Sequence, residues 1–287
     1  MPGFRAELTG CFSTPCDDNP TVVMLEAGYQ HLSLDWRYIN AKVEPAGLAA
    51  AVAGGRAMGW RGFNLSMPHK VAVIEQLDGL GESARLINAV NCVVNRDGRL
   101  TGENTDGKGF LSSLTPLRDP QGARVMLLGA GGAARAIAVE LVLAGVAELT
   151  IVNRSSARAD EVAGLVRAAR DLPVQTQAWD QPAAVPSTID VLVNCTSIGL
   201  GDAEAMVSIE TGSLRSDLVV ADVIPNPPQT QLLKAAAAAG CPTIDGLGML
   251  VGQGVLGVGF WTGEDLTPAN SPDLVAVMRA ALEKALG

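Results

Sequence analysis

A chain of 287 residues, 48% hydrophobic and 18% charged, has the make-up of a compact ordered protein, and its length favours two domains over one. The formal net charge of −9, with no cluster of Lys and Arg, excludes a protein that tracks nucleic-acid phosphates. Five scattered cysteines without a CxxC pair, and only two histidines, argue against a zinc centre or disulfide framework and suit a reducing cytoplasm.

In chain order, the N-terminal MPGFRAELTGCF lacks the apolar core of a secretory signal. Residues 1–106 read as an α/β unit, with strands over 5–11, 32–39 and 61–65 and helices near 20–29, 46–58 and 69–77. From 123 to 245, short β-branched runs alternate with alanine-rich helical stretches. RVMLLG (124–129), ELTIVN (148–153), DVLVN (190–194) and DLVVADV (217–223) are strands, and AARAIAVELVLAG (133–145) is a helix with a closing glycine. Strands separated by helices imply right-handed crossovers and a parallel sheet. GLGMLVGQGVLGVGFW (246–261) is shorter than a membrane span and is interrupted by six glycines and Gln253, so a buried, closely packed helix is expected. PDLVAVMRAALEKAL (272–286) has the amphipathic pattern of a last helix.

Two stretches carry chemistry. LLGAGGAARAI (127–137) sets Gly129, Gly131 and Gly132, with Ala130 and Ala133, at a strand-to-helix turn, where a pyrophosphate meets the helix N-terminus. The next strand ends in VNRSSAR: Asn153, Arg154, Ser155 and Arg158 stand where an acid would bind the ribose hydroxyls of NAD. Two guanidiniums suit the 2′-phosphate of NADP instead, with NAD as the alternative. The second stretch, TGENTDGKGF (101–110), crowds acids, amides and three glycines into ten residues. By itself it is a polar turn. Hydride transfer to or from an alcohol also needs a proton donor and acceptor. NLSMPHK offers His69 and Lys70 for this, with Pro68 opening a helix whose first turn holds Lys70.

NLSMPHK, INAVN (87–91), GENTDGKGF, LGAGGAARA, NRSSAR, NCTS (194–197) and DGLGMLVGQ (245–253) together resemble the shikimate/quinate dehydrogenase family over nearly the whole chain. The resemblance implies an α/β substrate domain (1–106 completed by the helices of 247–287) and a Rossmann domain (107–246), with a cleft that closes on binding. It implies Lys70 and Asp106 as the catalytic pair, Asp106 also holding a substrate hydroxyl, and Ser66, Asn91 and Gln253 as further substrate ligands. Glu82, Thr196, Val223 and Gly246 fall at positions near the cofactor. The implied partner is a small polyhydroxylated ring, the implied assembly a monomer or homodimer, and no metal is expected. A nucleotide sensor without catalysis is the reading from another class, and the presence of both Lys70 and Asp106 argues against it.

Two departures bear on the substrate. Where the family reads Ser-x-Ser-Pro and binds a carboxylate, this chain reads Asp17-Asp18-Asn19-Pro20, and Pro225 replaces a tyrosine with the same task. Either Ser13 and Thr14 supply the hydroxyls from a shifted place, or the substrate is a neutral cyclitol such as an inositol, with Asp17 accepting a hydroxyl.

Overall fold

In the computed structural model, which describes residues 5–286, the β-branched and apolar runs of the sequence gather into two six-stranded sheets in two compact units. The first unit holds the described residues up to Thr105 together with those from Val251 onward; the second is Asp106–Leu250.

The first unit begins β1 (Glu7–Ser13), α1 (Thr21–His31), β2 (Trp36–Lys42), α2 (Leu48–Ala57), β3 (Gly62–Leu65) and α3 (His69–Ala72). It continues β4 (Gly79–Leu80), α4 (Glu82–Ile87), β5 (Cys92–Arg96) and β6 (Arg99–Glu103). The strand order is β2-β1-β3-β5-β6-β4; β1 pairs in parallel with β2 and β3, whereas β5 is antiparallel to β3 and β6. Successive side chains of a strand face opposite ways. Phe12 therefore stacks on Phe63, with ring centroids 4.6 Å apart, while Thr9, Cys11 and Ser13 share the other face with Tyr38 and Asn40. The sequence reading lacks the β5–β6 hairpin, which turns at Asp97 (φ 52°) and Gly98 (φ 85°), and so lacks the antiparallel half of this sheet.

The second unit runs α5 (Asp106–Leu114), β7 (Arg124–Leu128), α6 (Gly132–Leu143), β8 (Glu148–Asn153), α7 (Ser156–Ala169) and β9 (Val174–Ala178). Then come β10 (Val191–Asn194), β11 (Val219–Asp222), α8 (Gln231–Ala238) and β12 (Thr243–Ile244). All its strands are parallel, in the order β12-β11-β10-β7-β8-β9. Val125, Leu127, Val191 and Val193 face a core built with α5, α6 and α7; Met126, Leu128, Leu192 and Val220 face a second core with α8. A parallel sheet buried on both faces needs such unbroken apolar strands. Strand order reverses between β7 and β10, the point at which open α/β sheets bind ligands.

The boundary between the units falls inside α9 (Gly246–Thr262), and α10 (Pro272–Leu286) follows. Among the described residues no helix is long and apolar enough to cross a membrane. The later turns of α9 and all of α10 complete the first unit. Trp261 Nε1 donates to the Val93 carbonyl at 3.0 Å and its indole fills the space a side chain on Gly62 would need. Gly28 of α1 lies so close to α10 that a Cβ there would touch Leu274 and Met278 at 3.3 Å.

Candidate active site

The polar face of the first sheet carries a chain of amides. Burial holds the Tyr38 phenol well above its ordinary pKa, keeping it a donor, and it donates to Asn64 Oδ1 at 2.8 Å. Asn64 Nδ2 donates to the Asn91 carbonyl at 3.0 Å. Asn91 is 2% exposed; its Oδ1 accepts from the Thr105 amide at 2.8 Å, and its Nδ2 donates to Gln253 Oε1 at 2.9 Å. That last bond fixes the orientation of Gln253, whose Nε2 is then the group it offers to a ligand. Asn91 and Gln253, expected from the sequence, thus meet directly, and Thr105, Asn64 and Tyr38, which the sequence reading does not single out, extend the network from Asn91. Ser66 follows β3; its amide donates to the Phe12 carbonyl at 3.2 Å and its carbonyl receives the His69 amide at 2.9 Å.

Lys70 sits in α3, and its carbonyl accepts from the Val90 amide at 2.7 Å, which ties this turn to the start of β5. Burial pushes the Cys11 thiol up, against weaker opposing pulls from Ser13 and then from the nearby Lys70 ammonium. Helix α3 is a single turn, shorter than the helix expected over 69–77, because the backbone tightens into a 3₁₀ turn at Val73–Gln76. His69 is corrected as an acid–base candidate. It is 1% exposed and its Nε2 lies 2.6 Å from the Val43 carbonyl; a carbonyl only accepts, so Nε2 carries the proton and the ring is spent on structure.

The loop after β1 is built differently from a pair of hydroxyls. Asp17 is exposed. Asn19 Oδ1 accepts from the Thr21 amide at 3.1 Å, which leaves its NH₂ as the group it can offer, and its carbonyl is held by Asn40 Nδ2 at 2.9 Å. Thr14 Oγ1 is turned to Glu44 Oε1 at 3.2 Å, and Ser13 is 2% exposed.

In the second unit, Gly129 (φ 103°) ends β7, and a Cβ there would lie 2.9 Å from the Thr196 methyl. At Gly131 and Gly132 a Cβ would meet nothing within 4 Å. Packing within the chain therefore does not explain those two glycines; a ligand backbone pressed against the first turn of α6 does, and a pyrophosphate fits it. Asn153 Nδ2 donates to the Ser155 carbonyl at 2.9 Å, and Ser155 Oγ caps α7 by accepting from the Arg158 amide at 3.4 Å. Arg154 and Arg158 flank this cap, exposed, and neither makes an ion pair with a described residue. Thr196 spends its hydroxyl within the chain, donating to Asn194 Oδ1 at 2.7 Å and accepting from the Ile198 amide at 3.1 Å. Val223 donates its amide to the Asn194 carbonyl at 3.1 Å, and Gly246 packs against the Ile224 carbonyl. Buried Asp222 binds Asn194 Nδ2 (3.0 Å) and Thr230 Oγ1 (2.8 Å) at these strand ends; burial raises its pKa in spite of those bonds. Asp106, 7% exposed, is the first residue of α5, and Glu82, exposed, is the first of α4.

Residues 13–93 match the family described as shikimate dehydrogenase substrate binding domain, and 114–206 the one described as shikimate / quinate 5-dehydrogenase. A shikimate dehydrogenase (NADP(+)) of Alkaliphilus metalliredigens is 38% identical over 266 residues, 90% of this chain and 92% of that protein. The chain belongs to the shikimate/quinate dehydrogenase family. It is accordingly an oxidoreductase acting on a secondary alcohol, with the substrate-domain and Rossmann architecture of that family. Among solved structures, ligand-free 5-ketofructose reductase of Gluconobacter sp. strain CHM43 is 57% identical with a TM-score of 0.94, covering 99% of this chain and 100% of that one. Shikimate 5-dehydrogenase of Listeria monocytogenes, in complex with shikimate and NAD, is 32% identical with a TM-score of 0.86, covering 98% and 96%.

Proposed function

We propose that this family member is an NADP-dependent reductase of a neutral polyhydroxylated ketone, working reversibly on the corresponding secondary alcohol. The loop after β1 carries the reading: an exposed carboxylate at Asp17 suits the hydroxyls of an uncharged polyol and opposes a carboxylate, and Asn19 adds a single neutral amide donor. The 57% identity to a 5-ketofructose reductase, against 38% and 32% to the shikimate enzymes above, supports it. Shikimate itself is the second reading, favoured by what those relatives are named for.

In this reading Ser66, Asn91 and Gln253 of the first unit, with Asp17 and Asn19 from its loop and Asp106 from the start of α5, hold the polyol. The Gly129–Ala133 turn holds the pyrophosphate, with Asn153, Ser155, Thr196, Val223, Gly246 and Glu82 around the rest of the cofactor. Bound NADPH supplies the hydride. Lys70 gives the proton to the forming alkoxide oxygen, and takes it back in the oxidative direction. Asp106 holds the Lys70 ammonium and a substrate hydroxyl, which keeps the donor aimed at that oxygen. Five free, buried thiols support a cytoplasmic location, and a monomer or homodimer is the expected assembly.

The deciding experiment is an NADPH oxidation assay with 5-ketofructose, several inosose ketones and 3-dehydroshikimate side by side. Faster turnover of the neutral ketones is expected; preference for 3-dehydroshikimate would overturn the reading. The cofactor is tested separately by calorimetry. Arg154→Ala should weaken NADP⁺ by about 10- to 100-fold, the equivalent of one charge-assisted phosphate contact, and leave NAD⁺ nearly unchanged. Tighter binding of NAD⁺ than NADP⁺ by the wild type would sink the assignment.

A further inference from the structure

Helices α5 and α6 meet unusually closely where the chain carries its most important acid. Asp106 is the first residue of α5. At the next residue, Gly107, a Cβ would run into the Ala136 carbonyl of α6, so the two backbones touch there. One residue further, Lys108 Nζ lies 2.5 Å from Glu140 Oε1, with the Glu140 side chain only 7% exposed. Phe110 and Leu114 then seal α5 into the core that Ile137 and Leu141 line. Gly132, Ala136 and Glu140 are spaced four residues apart and share one face of α6. That face therefore starts at the open glycine turn and ends at the ion pair.

We infer that Lys108 and Glu140 are a positioning pair that sets the rotation of the first turn of α5, and hence the aim of Asp106, relative to the glycine turn. Two apolar residues would pack these helices at least as well as a half-buried ion pair. A directed Nζ–Oε1 bond adds what apolar contact lacks, a fixed angle of α5 about its own axis. The glycine at 107 permits the approach; the pair selects one orientation within it. This rests on the role proposed above for Asp106.

The test uses the full-length protein with NADPH and the ketone it reduces best, in Glu140→Gln, Lys108→Met, the double variant, and the swap Lys108→Glu with Glu140→Lys. Each single variant should lose about 10- to 100-fold in kcat, the scale of a small misplacement of a catalytic group, with NADP⁺ affinity within threefold of wild type. The double variant should be no worse than either single one, and the swap should recover most of the loss. Amide hydrogen exchange should quicken at 106–110 and stay unchanged at 131–135. An unchanged kcat in folded Glu140→Gln, or a loss that the swap does not recover, would overturn the inference. Should the protein reduce none of the ketones, the functional reading fails on its own, and the exchange at 106–110 decides the pair: no quickening in either single variant refutes it.

Discussion

Lys70→Ala is expected to lower kcat by about 10²- to 10⁴-fold, the usual contribution of a positioned general acid–base group, while NADP⁺ binds as before. The physical ground is elimination as much as resemblance. His69 is 1% exposed with its Nε2 proton on the Val43 carbonyl, so its ring is turned into the protein rather than offered to a substrate. Lys70 is the next residue, and its charge reaches Cys11, which lies on the polar sheet face with Tyr38 and Asn64. On the role proposed for Asp106, the two losses should not add: Lys70→Ala with Asp106→Asn should be about as slow as Lys70→Ala alone. Steady-state kinetics paired with calorimetry reads both points. A Lys70→Ala variant keeping more than half of the wild-type kcat would transfer the proton to another group.

The second large effect is a reversal of substrate preference. A carboxylate brought to about 4 Å from Asp17 is repelled by roughly 1 kcal/mol in water and 4 kcal/mol at an effective dielectric of 20. Since Asp17 is exposed, the true penalty lies between those limits, about 5- to 1,000-fold in affinity. Asp17→Ser removes the repulsion and restores one hydroxyl of the family loop. It should raise kcat/KM for 3-dehydroshikimate by about tenfold or more and lower it for the neutral ketone, each hydrogen bond to a charged group being worth about 1.5–3 kcal/mol. If Asp17→Ser leaves the ratio of the two kcat/KM values unmoved, the loop does not select the substrate.

Much of the second unit is legible in the sequence because its strands are buried on both faces. ELTIVN is a strand over its whole length, and RVMLLG, DVLVN and DLVVADV each hold one, since an unbroken apolar run has few other places to go. β9 escapes: VQTQA is an exposed edge strand with no apolar period to read. The β5–β6 hairpin had its signal, Asp97-Gly98 between two strand-forming runs, a turn pair that favours positive φ at both residues. The site divides along similar lines. Lys70, Asn91, Asp106 and Gln253 stand in ordered motifs that local sequence displays. Asn64 and Thr105 matter through bonds between residues far apart in the chain, and the capture of Thr14 by Glu44 is of the same kind. Nothing in a linear pattern reveals who is already engaged.

The chain leaves the first unit after Thr105 and re-enters it within α9, and this has a consequence for birth on the ribosome. When residue 250 has been made, the second unit has every strand of its sheet, and a domain with its own core can fold as a unit. The first unit, although begun earlier, still lacks Trp261 against Gly62 and the α10 side chains that cover Gly28. The later segment of the chain therefore completes the earlier one. A chain ending before residue 261, released from the ribosome, should show protease resistance in 106–250 while residues 5–105 stay open to attack.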